Sequence, residues 1–528
     1  MVDFPIDTVG STNMSDPRNP QAETPITASM LYAMATCPHR VSMDLFADPA
    51  GRDPVSPFVQ LLWDRGAAHE QDVIAGVGEP FLDLSSYSGE EKEQRTLEAM
   101  DRGEPLIYSG RISAGDLLGV PDLLRKEGGG YIAGDIKSGA GEEGGSDDER
   151  GHLKKSYAMQ LAVYTDILEQ LGRSAGRRGF IWDIYGAEVP YDLASLQGVK
   201  KPRTLWDDYQ IILQEVRAII SRVLETRPAY SSGNCKNCVW YTSCIATLET
   251  ANDLTLIPEL GRALRDALID RVGSIRELAG IEPNAFIEGK KTVFAGIGPD
   301  RLRKFHARAM LLATKGGKPY LRAPVQLPVA DCELFFDIEV DPMRDICYLH
   351  GFVERLGGDN DREQFVSFFA DEATPDAEER AFAASWAYIQ DSQPCAIYYY
   401  SKYERTLYRK LQARYPQVVT ADEIEQLFDP ARSVDLYFDV VLKATEWPTR
   451  DFSIKTLAKY LGFAWRDTHP SGAASIEWFD RYITTRDPNI RQRILDYNED
   501  DCRATRVLLD GIRGMRVSPA LPERLDGQ

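Results

Sequence analysis

From Ile26 onward the chain alternates between two patterns. Stretches with an apolar residue every three or four positions put those side chains on one helical face, while short apolar runs bounded by Gly, Pro, Asn and Asp fit strands. The first pattern predicts helices over 26–46 (ITASMLYAMATCPHRVSMDLF), 58–76, 156–172 and 204–225; the second predicts strands over 105–112, 116–127, 130–139 and 178–186. The strands at 116–127 and 130–139 meet at a glycine-rich hairpin around Gly128 to Gly130. Residues 139–151 (GAGEEGGSDDERG) have no period and are expected to be a mobile surface loop, and residues 1–25, rich in Ser, Thr, Pro, Asn and Asp, a disordered tail.

A second pattern begins after residue 250. Short helices punctuated by glycine fill 251–325, a helical connector. Strands then follow at CELFFDIEV, ICYLHGFVE, QFVSFFA and CAIYYY, and helices at YERTLYRKLQ, VDLYFDVVLKA, SIKTLAKYLGF and NIRQRILDYNEDDCRATRVLLDGI, so the last region reads as mixed α/β. The fold class is therefore α/β and multi-domain, with no fixed-period repeat.

Charge narrows the function. Among 528 residues, Lys+Arg 61 against Asp+Glu 81 leaves −20, which excludes coating of nucleic acid or membrane by bulk positive charge. Nucleic-acid contact must then come from a local patch. No window reaches the roughly 20 apolar residues of a membrane span, and the polar start lacks a secretion signal, so a cytoplasmic location without membrane contact is expected. Neither a G-x-x-x-x-G-K-[ST] loop nor H-E-x-x-H occurs.

Asp122 lies in the expected strand 116–127, and Asp135 and Lys137, two apart, share a face of the next strand. Two carboxylates and an amine at one point suit metal-assisted phosphodiester hydrolysis; a solvated strand face with a cross-strand ion pair is the other reading of D-x-K. The order of elements adds to this: a helix with Gly66-x-x-His69, a strand with Pro121-Asp122, a strand with Asp135-Ile136-Lys137, then a helix with Gln160 and Tyr164 at i and i+4. It resembles the RecB-like branch of the PD-(D/E)xK nucleases. That resemblance implies a restriction-endonuclease-like core with His69, Asp122 and Asp135 as ligands of Mg²⁺ or Mn²⁺, Lys137 as catalytic lysine, and Gln160 and Tyr164 as accessory residues.

Three of the eight cysteines crowd into CKNCVWYTSC as Cys235, Cys238 and Cys244, and Cys37 can complete a set of four if the ends of the domain meet. Four thiolates suit zinc or an iron–sulfur cluster, and spacing alone does not decide. Set around a RecB-like core, the pattern resembles that of iron–sulfur nucleases, which implies a [4Fe-4S] cluster, with Zn²⁺ as the alternative, stapling the domain.

In LFFDIEV, Asp337 and Glu339 fall on one face of an apolar strand, a costly placement without a metal or partner. Tyr497 and Asp501, four apart, share a face of the last helix. A D-x-E strand followed by a late Y-x₃-D resembles the DEDD exonucleases of the ribonuclease H-like fold. By that resemblance Asp337, Glu339 and Asp501 bind metal and Tyr497 orients water. The middle acidic position departs from the family pattern: Glu404 follows Tyr403 where Asp is usual, and Asp435 is the substitute if Glu404 caps its helix.

In the connector, Lys290, Lys291, Arg301, Arg303, Lys304 and Arg308 form a basic stretch opposed only by Asp300, and Gly296-Ile297-Gly298 precedes a helix. The turn resembles a helix-hairpin-helix element, which implies phosphate contact; a packing connector is the other reading. The expected division is a tail to 25, a RecB-like nuclease over 26–250, a basic linker over 251–325, a ribonuclease H-like exonuclease over 326–516 and a tail over 517–528. The expected activity is metal-dependent cleavage of DNA, favouring single-stranded ends, in repair, recombination or foreign-DNA processing. RNA as substrate, or a binding scaffold with inert sites, is the rival, and any duplex unwinding would need a separate helicase.

Overall fold

The computed structural model describes residues 24–143, 151–197 and 202–518. Most of the two expected tails and of the 139–151 loop lie outside these residues. The chain divides into two units, residues 1–228 with 233–245, and residues 229–232 with 246–528.

The first unit opens with α1 (Ala28–Thr36) and α2 (Pro38–Phe46), followed by α3 (Pro57–Ala75). Residues 26–46 were expected as one helix. Pro38 offers no N–H to continue α1 and drives Cys37 to an extended φ of −155°, so the helix restarts there. A sheet in the order β6-β5-β4-β3-β2-β1 joins β1 (Leu82–Asp83), β2 (Leu106–Tyr108), β3 (Leu123–Glu127), β4 (Gly130–Ile136), β5 (Ser174–Trp182) and β6 (Glu188–Asp192). β3 and β4 are an antiparallel hairpin in which Glu127 pairs Gly130. The run 116–127 is not one strand. Pro121 interrupts it, and Leu117–Gly119 pairs instead with Ile112–Ala114 and Ile26–Thr27 in a separate sheet, which leaves Asp122 at the junction rather than within a strand. α5 (Lys155–Gln170) is buried on every face between Tyr157 and Thr165, as a central core helix should be, and α6 (Leu205–Ile220) packs its apolar stripe into the same core. α4 (Gly89–Arg102), a highly polar helix that buries only Thr96, Ala99 and Met100, has too few apolar residues to announce it.

The second unit begins with short helices, α7 (Arg262–Leu268) and α8 (Ile275–Gly280), then α9 (Pro299–Ala313). Its sheet runs β9-β8-β7-β10-β11, from β7 (Cys332–Asp341), β8 (Ile346–Leu356), β9 (Glu363–Phe369), β10 (Cys395–Tyr399) and β11 (Ser433–Asp435). The first three strands are antiparallel, and β10 and β11 add parallel beyond β7. This part also contains helices α10 (Pro375–Asp391), α11 (Tyr403–Arg414), α12 (Ile454–Tyr460), α13 (Gly472–Thr485) and α14 (Pro488–Arg513), with a shorter helix at Ala421–Leu427. The segment 434–444, expected as a helix, starts as β11 and turns through a π-helical stretch at Leu436–Val441. α14 buries Ile490, Ile494, Tyr497, Asp501, Thr505, Leu508 and Ile512, a stripe that aims Tyr497 and Asp501 at the sheet.

Candidate active sites in the two units

In the first unit the β3–β4 hairpin and α3 bring acids together. Asp122 Oδ2 accepts a hydrogen bond from the Ile136 N–H at 2.8 Å, so the strand backbone itself fixes that carboxylate beside Asp135. Asp135 is buried, and Lys137 Nζ sits 3.1 Å from its Oδ2. Burial, then the charges of Asp135 and Glu70, push the Asp122 carboxyl well above its ordinary range, with Lys137 pulling the other way. Glu70 is a member that the sequence pattern missed. It neighbours His69 on α3, and its carboxylate accepts from Tyr108 Oη at 2.8 Å. His69 Nε2 is buried without a hydrogen-bond partner, an unspent donor or acceptor.

α5 supplies the expected pair of accessory residues. Gln160 is buried and its Oε1 has no hydrogen-bond partner. The Tyr164 hydroxyl points at the Val120 carbonyl at 3.5 Å, and its own pKa is raised by burial and then by Asp135 and Asp122, which places the phenol beside the acids. Gly119 makes room for it: a Cβ there would lie 2.6 Å from the Tyr164 ring.

The segments that carry the cysteines lie side by side, though among the described residues their sulfurs do not form a group within 4.8 Å of one another. Trp240 Nε1 donates to Asp44 Oδ1 at 2.8 Å, Asp53 N–H to the Val239 carbonyl at 2.7 Å, and Thr242 N–H to Asp53 Oδ2 at 2.9 Å, so the loop after α2 is pinned to the CKNC loop. The Cys244 thiol is pushed up to about 12 by burial first and then by Cys238, Cys37 and Cys235, so all four lie within electrostatic reach.

In the second unit, ligand atoms of Asp337 and Glu339 on β7 and Asp501 on α14 all lie within 4.8 Å of one another, the one such group among the described residues. Each is held differently. Asn498 Nδ2 donates to Asp337 Oδ2 at 2.7 Å, Trp465 Nε1 donates to Asp501 Oδ1 at 2.7 Å, and Tyr348 Oη donates to Glu339 Oε2 at 3.4 Å. Gly351, opposite Asp337 on β8, is required by this packing, since a Cβ there would stand 1.6 Å from Asn498 Oδ1. Burial, then Asp501, push the Glu339 carboxyl up to about 8; burial, then Asp501, Glu339 and Glu404, push Asp337 well up, and Lys455 opposes both. Such mutual repulsion is what a divalent cation relieves, so the donor set fits Mg²⁺ or Mn²⁺.

Glu404, at the start of α11, is buried, lies close enough to raise Asp337, and keeps Oε2 without a partner; burial pushes its carboxyl up to about 8. It stands outside the 4.8 Å group. Asp435, considered as its substitute, is instead the capping residue: Oδ1 accepts from the N–H groups of Ser401, Tyr437 and Phe438 at 3.2, 2.9 and 3.0 Å. Tyr497 Oη accepts from Lys455 Nζ at 2.7 Å. Lys455, Trp465 and Asn498 were not found from sequence, because no spacing ties α12 and the turn after it to β7; for Asn498 alone, its place one residue from Tyr497 was a signal.

The connector corrects one expectation. Arg308 is wholly buried, with Nε 2.7 Å from Glu446 Oε2 and Nη1 at 2.8 Å from the Pro258 carbonyl and 2.5 Å from Glu259 Oε2, so it is not open to a phosphate. Its counter-charges come from outside the basic stretch. Lys304 also pairs with Glu259, at 2.6 Å, and Arg303 with Asp300 and Asn284. Lys290, Lys291 and Arg301 are exposed, and Gly296, with φ of 74°, makes the turn before α9.

Comparison with known families agrees with this geometry. Residues 52–245 match the model of the PD-(D/E)XK nuclease superfamily, and residues 334–512 that of the RNase H superfamily. The chain carries a domain of each, and both superfamilies consist of nucleases that hydrolyse phosphodiester bonds. No curated protein matches the chain. Among the described residues no helix is long and apolar enough to cross a membrane.

Proposed function

We propose that the protein is a divalent-metal-dependent DNA nuclease with two hydrolytic sites, working as an exonuclease on single-stranded ends in repair, recombination or foreign-DNA processing. The observation that carries the reading is the Asp337, Glu339 and Asp501 group within 4.8 Å, three carboxylates whose mutual repulsion in a largely buried setting favours a cation among them. A bound ion would polarise the phosphodiester and favour ionisation of water. In the C-terminal site Asp337, Glu339 and Asp501 would hold it, and Tyr497 would orient the attacking water. In the N-terminal site Asp122, Asp135 and His69 would hold the ion, Lys137 would position water against the phosphorus, and Gln160 and Tyr164 would brace the acids. Exposed Lys290, Lys291 and Arg301 would track the backbone of the nucleic acid.

Cys37, Cys235, Cys238 and Cys244 would hold a [4Fe-4S] cluster as a structural staple, a reading supported by the pinning of the CKNC loop to the α2 end of the chain. Anaerobically purified protein should then be brown, with broad absorption at about 400 nm; colourless protein holding zinc would overturn the cluster.

The test of the function is cleavage of end-labelled single-stranded DNA, with Mg²⁺ or Mn²⁺, by wild type, Lys137→Ala and Asp337→Ala. Loss of a distinct part of the cutting in each variant supports two working sites. Cleavage of matched RNA in preference to DNA would move the substrate to RNA, and intact DNA and RNA throughout would reduce the chain to a binding scaffold.

A further inference from the structure

α4 turns most of the polar residues of its first turns to solvent: Glu90, Glu91, Gln94 and Arg95 are exposed. Lys92 stands one helical turn before the buried Thr96 and shares its inward face. Two links fix that turn of helix to the loop after β2, since Thr96 Oγ1 donates to the Lys92 carbonyl at 2.7 Å and accepts from the Arg111 N–H at 3.0 Å. The Lys92 ammonium then donates to Ser109 Oγ at 2.9 Å, and the Ser109 N–H donates to the Asp122 carbonyl at 2.7 Å. Tyr108, one residue before Ser109, is the residue that donates to Glu70. A single hydrogen-bonded serine therefore separates the ammonium from Asp122 of the N-terminal site.

The backbone is shaped to hold it there. Ser109 keeps a φ of 58°, left-handed backbone that a serine seldom adopts, and a Cβ on the next residue, Gly110, would stand 2.8 Å from the Leu124 side chain. Lys92 is only partly buried, and among the described residues its ammonium makes that one hydrogen bond and no ion pair, which leaves two of its three N–H groups to offer. Asp83 and Glu70 attract it and Arg111 repels it, while Arg111 itself pairs with Glu93 at 3.1 Å. Two cations close enough to repel each other, one of them without a carboxylate partner, favour a bound anion. The anion that a nuclease site brings to this position is a phosphate of its substrate.

We infer that Lys92 is a substrate-binding residue of the N-terminal site and holds a phosphate of the nucleic-acid strand next to the one that is cut. The inference rests on Asp122, Asp135 and Lys137 forming a nuclease site. Lys137, 3.1 Å from Asp135, serves the reacting phosphate; Lys92, linked to Asp122 through Ser109, serves its neighbour and sets where along the strand the cut falls. The neighbouring phosphate does not change charge in the reaction, so Lys92 holds substrate and transition state equally. It lowers KM and leaves the chemical step alone.

The test uses full-length protein carrying Asp337→Ala, which silences the C-terminal site, and a labelled single strand of DNA. In that background Lys92→Met should raise KM about 10-fold with kcat little changed, as the loss of one charged hydrogen bond does, and Lys92→Arg should restore KM. Without divalent ions, so that nothing is cut, the salt slope of strand binding should fall by about 0.7 in Lys92→Met, the share of one phosphate contact. Uncharged methylphosphonates placed at single linkages locate the phosphate: one position should weaken binding to the Asp337→Ala chain and leave Lys92→Met unmoved. Strands with and without a terminal phosphate tell an end group from an internal linkage, and either supports the inference. Unchanged KM and salt slope in Lys92→Met would overturn it. So would a fall in kcat and in Mn²⁺ affinity with KM unmoved, the result of a lysine that merely props Ser109. Adding Asp122→Ala separates the levels: continued cutting there would remove the nuclease site itself, whereas lost cutting there with Lys92→Met unaltered sinks only the lysine. If the Asp337→Ala chain does not cut at all, the two-site reading falls and the salt slope alone decides the role of Lys92.

Discussion

The two acid sites solve one electrostatic problem with different chain economy. In the first unit Asp122, Asp135 and Lys137 lie within a hairpin and the residues beside it, and the Ile136 N–H that fixes Asp122 belongs to the strand carrying Asp135. In the second, Asp337 and Glu339 on β7 meet Asp501 only because α14 crosses the sheet, and the neutralising lysine arrives on a third element, α12. A hairpin-borne site is set by local register, whereas an assembled one depends on long-range packing. The first should therefore respond to changes in its own residues, and the second to changes in what packs behind them.

The sharpest way to break the comparison is to remove one acid from each site. Asp122→Ala and Asp337→Ala should each lower their own component of metal-dependent cleavage by about 10²-fold or more, since an ion supplies several kcal/mol at the transition state. Separate kinetic phases for the two, measured on one labelled strand, would keep the sites independent; loss of all cutting in either single variant would make them one device.

Support residues come next. Trp465→Phe removes the indole N–H from Asp501 while keeping an aromatic ring beneath Lys455, and the loss of such an outer contact costs about 10–100-fold in metal affinity. Mn²⁺ titration reads it directly. Asp122 is held by the Ile136 N–H of the neighbouring strand and does not touch Trp465, so the N-terminal affinity should be unmoved in this variant.

Glycine packing separates the sites on stability. Gly351→Ala drives a methyl into Asn498 and displaces the amide from Asp337, while Gly119→Ala meets the edge of the Tyr164 ring. Each should cost about 1–3 kcal/mol by denaturant unfolding, as overpacking does. Gly351→Ala should in addition weaken Mn²⁺ binding at the C-terminal site, and unchanged binding would show that Asn498 does not position Asp337.

What could be seen in the sequence follows the same division. D-x-K and D-x-E are visible because alternation along a strand is itself the geometry, and Tyr497 with Asp501 because four residues make a helical turn. The strand and helix order was enough to mark both folds. Lys455 and Trp465 were invisible: each belongs to the site through tertiary packing of α12 and the turn beyond it, and neither has a local pattern that distinguishes it from a surface lysine or a core indole. Arg308 erred in the opposite direction. Its sequence neighbours made it part of a basic run, while Glu259 and Glu446, far along the chain, claimed it for the interior. Pro121 and Pro38 were readable breaks that the apolar run around each concealed.

The pH-dependent effect concerns Glu404, whose carboxyl is raised by burial to about 8. A carboxyl with a folded value above its unfolded one, about 4.3, binds more protons in the native state between those two values. Stability linked to it is therefore full below about pH 4.3 and declines as pH rises toward 8. Glu404→Gln keeps the shape and removes the titration, so without divalent ions it should melt above wild type at pH 8, with the difference shrinking as pH falls through that window. Mn²⁺ then tests whether Glu404 belongs to the assembled site. If it is an added ligand, saturating Mn²⁺ should raise the melting temperature of wild type at pH 8 more than that of Glu404→Gln; equal shifts would leave Glu404 a buried neighbour and the ion held by Asp337, Glu339 and Asp501.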